Sequence, residues 1–122
     1  MGRIEKPWGY EDQVLMTQVD VGETTGMLGI RRLVIDAEAM TSYSYHDEQA
    51  DIIYLEEGDV VLRREEDLEE LEPGNAMVIR SGQKHQIQNL GSTIAKVLEI
   101  SFPYIPGDIT RVEDPYVEER ED

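Results

Sequence analysis

The sequence contains no cysteine, so neither a disulfide nor a thiolate metal site can form. Positive charge is scarce: 11 Lys and Arg stand against 27 Asp and Glu, a formal net charge of -16. Such a field repels phosphate backbones, which argues against a nucleic-acid partner. Lysine occurs only at Lys6, Lys84 and Lys96, a pattern that fits high-salt adaptation and ordinary solubility equally. No apolar run approaches the roughly 20 residues that a membrane-spanning helix needs. The opening Met1-Gly2-Arg3-Ile4-Glu5-Lys6-Pro7-Trp8 has no apolar h-region, and Lys6 stands where a myristoylation signal carries Ser or Thr. The expectation is a soluble, cytoplasmic protein with no membrane partner.

What is present suffices for one core: 122 residues, of which 39% are hydrophobic. Short alternating runs are broken by Gly, Pro, Asp and Asn. They predict strands over 10–15, 27–35, 42–46, 51–56, 60–64, 76–79, 85–89 and 95–102. Turn signals recur about every eight to twelve residues, the spacing of an all-β sandwich or barrel. In 65–72 the leucines Leu68 and Leu71 have the spacing of one helical turn, but Pro73-Gly74 stops it at once. So short an isolated helix is marginal in water, and a hairpin with solvated acids is preferred. The barrel, with its N-terminal strand, is read over 1–103. The tail, 104–122, is read as packing on the barrel or partly disordered, with 118–122 disordered.

The chain has two histidines, His46 and His85, and each borders a strongly patterned strand. His46, Asp51 and Gly58 are separated by four and six residues. Gly74, Gly82, His85 and Asn89 follow after a gap of fifteen residues from Gly58. These two patterns resemble the two motifs of the cupin superfamily, with Arg80 where the family has proline. Lys6-Pro7-Trp8-Gly9-Tyr10-Glu11, with the segments 99–103 and 107–116, narrows the resemblance to small phosphomannose-isomerase-like cupins. The resemblance implies an all-β cupin double-stranded β-helix, a jelly-roll-like barrel. It also implies a homodimer paired through sheet faces and swapped N-terminal strands. Four positions depart from that group: Ser44 replaces glutamine or histidine, Asp51 replaces glutamate, Ala37-Glu38 replaces Pro-Gly, and Glu118 replaces a closing arginine. The isomerases use that arginine, and Arg120 is displaced from its place.

On this resemblance His46, Asp51 and His85 form a ligand set for one divalent metal ion, with Zn, Fe, Mn, Ni and Co all compatible. Residues two apart on a strand share a face, so Ser44 points with His46 and bonds a metal-bound water rather than the metal. The alternative is a barrel without metal, in which both imidazoles are satisfied interior groups. Glu48 and Lys84 flank ligands and are candidates for general base or acid; Arg111 is a candidate phosphate contact. Each also reads as an ordinary solvated charge. Alternation sends some of Arg31, Arg32 and Arg63 inward. Trp8 reads as a packing anchor, and Val97, Ile100 and Met77 as core. Tyr43 and Tyr45 point opposite to His46, onto an outer face. The ligand class implied is a small molecule, a sugar phosphate or nucleotide sugar, undergoing aldose–ketose isomerisation. A cupin dioxygenase or decarboxylase acting on a small acid, and a non-catalytic binding module, are the alternatives.

Overall fold

Strict alternation along Ala95–Phe102 sends Ala95, Val97, Glu99 and Ser101 inward and leaves Lys96, Leu98, Ile100 and Phe102 on the outer side. The same period-two logic runs through the computed structural model, which describes residues 2–65 and 67–115. The expected disorder of 118–122 and the positions of Tyr116, Glu118 and Arg120 lie outside the described residues.

The strands are β1 (Arg3–Lys6), β2 (Gly9–Val21), β3 (Thr24–Ile35), β4 (Tyr43–Tyr45), β5 (Ala50–Glu57) and β6 (Val60–Arg64). They continue with β7 (Asp67–Leu71), β8 (Ala76–Ile79), β9 (His85–Gln88), β10 (Ala95–Phe102) and β11 (Thr110–Glu113). No helix occurs among the described residues, so none is long and apolar enough to cross a membrane. Two antiparallel sheets form, ordered β1-β2-β3-β10-β5-β8 and β11-β4-β9-β6-β7. The all-β double-stranded barrel is therefore the architecture observed.

Between the sheets lies one core that includes Trp8, Leu33, Ile35, Ile53, Leu55, Leu62, Ile79, Ile87 and Val97. Each large aliphatic side chain buried there contributes about 1.5–3 kcal/mol. Met77 packs against this cluster from a half-buried position. Ile100 does not join it: the alternation that buries Glu99 and Ser101 puts Ile100 on the outer face, correcting its reading as core. Gly9 has φ +146, and a Cβ there would meet the Val34 carbonyl oxygen at 2.0 Å. Only glycine lets β2 start against β3 while Asp36 donates to the Trp8 carbonyl at 2.8 Å.

The sheets extend past the expected strands. β2 and β3 form a long hairpin, from Gly9 paired with Ile35 to Val21 paired with Thr24. The acidic stretch before Pro73 is strand β7, paired with β6 as a hairpin. Beyond Phe102 the chain returns and adds β11 to the edge of the smaller sheet, beside β4.

Candidate metal centre

His46 directly follows β4, Asp51 sits at the start of β5, and His85 opens β9. The loop between β4 and β5 carries the chain from one sheet to the other, so it brings His46 toward Asp51. Ser44 is the cross-strand partner of His85, which places both imidazoles at one end of the barrel interior. The Nε2 atoms of His46 and His85 lie 3.1 and 3.9 Å from Asp51 Oδ2. The three ligand atoms all fall within 4.8 Å of one another.

The hydrogen bonds around the triad fix what each atom offers. His46 Nδ1 is 2.5 Å from the Asp108 carbonyl oxygen, and His85 Nδ1 is 3.1 Å from that of Gln83. A carbonyl only accepts, so each ring carries its proton on Nδ1, and in the neutral rings Nε2 presents a lone pair. Asp51 Oδ1 accepts from Ser101 Oγ at 2.6 Å and from Gln49 Nε2 at 2.9 Å. Asp51 Oδ2 is buried and accepts from no group. With both rings neutral, three lone-pair donors converge with nothing electropositive among them. A divalent cation answers that arrangement: ligands about 2.1 Å from one ion sit about 3–3.5 Å apart, which the 3.1 Å pair meets, while His85 at 3.9 Å closes in by a few tenths of an ångström or more on binding. The residues present therefore fit the ion.

Electrostatics agree with ligand roles for His85 and Asp51. Burial lowers the His85 pKa and outweighs the Gln83 carbonyl and Asp51, so the ring stays neutral. Burial also pulls on His46, but the Asp51 carboxylate 3.1 Å away and the Asp108 carbonyl outweigh it and raise its pKa, so an incoming ion has a proton to displace there. Asp51 is held ionised: burial opposes this, while His46, Ser101 and Gln49 together lower its pKa.

A cavity of about 440 Å³ opens onto both histidines and Ser44. Leu33, Ile87, Ile109, Pro7 and Trp8 give it apolar walls, so Trp8 serves the cavity as well as the core. Its charged lining is balanced, with Lys6, Arg31 and Arg111 against Glu11, Glu99 and Asp114. Arg31 points inward, ion-paired with Glu99 and 3.4 Å from Glu11. Arg32 and Arg63 point outward, to Glu56 and Glu113. Burial, with Asp51 and Glu11 nearby, pushes the Glu99 pKa up to about 7 against the pull of Arg31 and His46.

Arg111 borders the cavity and lies 3.9 Å from Asp114. Glu48 is exposed, its backbone N–H donating to Asp108, and neither it nor Lys84 lines the cavity. Tyr43, expected on an outer face, is buried, with the Arg63 guanidinium 3.9 Å from its ring centre. Sequence reasoning did not single out Gln49, Ser101 and Asp108, which hydrogen-bond the triad, or the role of Glu99, which lines the cavity. Alternation from Asp51 and along 95–102 carried a signal for Gln49, Glu99 and Ser101; nothing local marks Asp108.

A protein-family model described as a cupin domain matches residues 32–101. The tetracenomycin polyketide synthase protein TcmJ of Streptomyces glaucescens is 34% identical over 98 residues, 80% of this chain and 64% of that protein. The chain thus spans less than two thirds of that relative's length. An oxalate decarboxylase from Lactobacillus farciminis superposes with a TM-score of 0.71 at 16% identity, covering 91% of this chain and 33% of that one. A cupin-superfamily sugar phosphate isomerase from Silicibacter pomeroyi gives a TM-score of 0.60 at 23% identity, over 65% and 52% of the two chains. At such identities the structural similarity speaks for the fold alone.

Proposed function

The chain belongs to the cupin family, and on that footing we propose that it is a divalent-metal enzyme moving a proton beside a carbonyl in a small organic ligand. The observation that carries the reading is Asp51 Oδ2, buried, unpartnered and faced by two imidazole Nε2 atoms. His46, Asp51 and His85 hold the ion, and Ser44 orients a water or ligand oxygen beside it. When bound, the ion supplies Lewis-acid polarisation of a carbonyl or hydroxyl oxygen. Glu99 faces the cavity with a pKa near 7, where a group both accepts and returns a proton efficiently. It takes the role that sequence suggested for Glu48 or Lys84, neither of which borders the cavity. Lys6 and Arg111 favour an anionic group on the ligand. A sugar phosphate undergoing aldose–ketose isomerisation is the first substrate class to test.

A second substrate reading is a polyketide-type hydroxy-carbonyl compound. It is favoured by 34% identity to a polyketide synthase protein and by the apolar walls at Trp8, Leu33, Ile87 and Ile109. The chain also pairs with a second copy through the outer face of the larger sheet. There, cross-strand registers align Leu15, Ile30, Ile100, Ile52 and Val78 in one apolar row.

Elemental analysis of protein purified without chelator is expected to find about one divalent ion per chain, lost in the His46→Ala/His85→Ala double variant. Unchanged metal content in that variant would end the metal reading. Failure of the metal-loaded protein to interconvert mannose 6-phosphate and fructose 6-phosphate, followed by NMR, would remove the sugar-phosphate version and leave the polyketide one.

A further inference from the structure

His85 is oriented from within its own strand region, by the Gln83 carbonyl two residues away. The other two ligands are supported from a distant part of the chain, the segment between β10 and β11. The Asp108 carboxylate accepts the backbone N–H groups of Asp47, Glu48 and Gln49 at 2.8, 2.9 and 3.0 Å. These three donors belong to the loop joining His46 to Asp51, where no neighbouring strand serves them. The carbonyl of the same Asp108 receives His46 Nδ1. One residue therefore holds both the His46 ring and the loop behind it.

The same segment reaches Asp51 through Gln49. The Ile105 N–H donates to Gln49 Oε1 at 3.0 Å, while Gln49 Nε2 donates to Asp51 Oδ1. The segment is itself anchored. The Tyr104 N–H bonds the Met27 carbonyl at 2.7 Å, and its ring lies against Gly29, where an added Cβ would come within 2.8 Å of ring Cγ. The Asp108 N–H closes a turn on the Ile105 carbonyl at 3.0 Å.

We propose that Asp108 is a positioning residue that sets metal affinity, by locking the His46 ring and its loop in the geometry of the bound state. This rests on the metal-binding reading above. Groups that orient ligands without touching the ion typically govern about 10–100-fold in affinity. Removing the carboxylate leaves three loop donors to water and frees the loop to tilt His46 away from Asp51.

The test uses the full chain with Asp108→Ala and Asp108→Asn. Cobalt(II) and zinc(II) are titrated calorimetrically, and the visible spectrum of the cobalt form reports ligand geometry. The Ala variant is expected to bind about 10–100-fold more weakly and to shift the cobalt bands. The Asn variant keeps one acceptor oxygen for part of the loop and is expected to lose less than about tenfold. A purely structural role would lower melting temperature while leaving cobalt spectrum and affinity of the folded protein unchanged, and that result would overturn the proposal. If the Ala variant does not fold, the Asn variant decides: wild-type affinity with wild-type bands refutes it. Failure of the unaltered chain to bind either ion would instead remove the metal reading, and this inference with it.

Discussion

Asp51 combines three properties that rarely coexist without a counter-ion: it is ionised, 1% exposed, and one of its oxygens accepts from no group. Replacing that oxygen by an amide nitrogen changes the sign of what faces the imidazoles. In Asp51→Asn the new N–H₂ donates to the Nε2 lone pairs, so the fold is expected to persist while metal affinity falls more than about 100-fold. Calorimetric titration of zinc(II) checks this; undiminished affinity would mean that Asp51 is not a ligand. Glu99 yields a pH signature. Its pKa rises on folding from 4.5 to about 7, so between those values the folded chain binds more protons than the unfolded one. Stability therefore falls as pH rises through that window and is flat in this respect outside it. Glu99→Gln lacks the slope. The difference in urea-unfolding free energy, variant minus wild type, is expected to increase from pH 4.5 to 7 and then level off. Parallel pH curves would place the Glu99 pKa near its ordinary value. His46, Asp51 and His85 were legible because motif spacing names them. Their supports were less so: Ser101 meets Asp51 as a cross-strand partner, and Asp108 acts across a chain separation that no spacing rule covers.

At the scale of elements, legibility followed burial contrast. β6, β8 and β10 were placed to the residue, because each has one face in the core and turn residues at both ends. The distal half of the β2–β3 hairpin was not, since Val21, Thr24 and Thr25 are exposed and no residue from 16 to 28 is buried in the core. β11 was missed for the same reason: all four of its residues are exposed. Asn89 shows a motif residue whose role is architectural. Its Nδ2 donates to the carbonyls of Ile35, Asp36 and Thr93, and its Oδ1 accepts the Gly91 N–H. It stitches β3, the β9–β10 turn and the end of β9 together from a buried position. Asn89→Ala strands several of these groups, and each costs about 1–3 kcal/mol when unsatisfied. A loss of roughly 3 kcal/mol in urea unfolding is expected, allowing for water reaching some carbonyls. A change below about 0.5 kcal/mol would show that water replaces the side chain throughout.

The whole molecule pits a net charge of -16 against an apolar row on the outer face of its larger sheet. Leu15, Ile52 and Val78 in that row are 39, 39 and 52% exposed. The row crosses five strands, roughly 19 Å at the usual strand spacing, and contains no charge. A second copy laid across it by a two-fold axis matches apolar against apolar without needing opposite charge. Long-range repulsion between two acidic copies opposes this contact, and salt screens it over about 10 Å at 0.1 M. Self-association is therefore expected to strengthen as sodium chloride rises, the reverse of an interface built on ion pairs. Ile52→Lys puts a charge within the row at a site already partly solvated, so the fold tolerates it while the dimer does not. Light scattering during size exclusion is expected to show wild-type dimer at moderate salt and variant monomer. Zinc affinity should stay the same, because the proposed ligand Asp51 points to the opposite side of β5 from Ile52. A variant that remains dimeric at the same salt would mean that the copies meet elsewhere and that the row serves another contact.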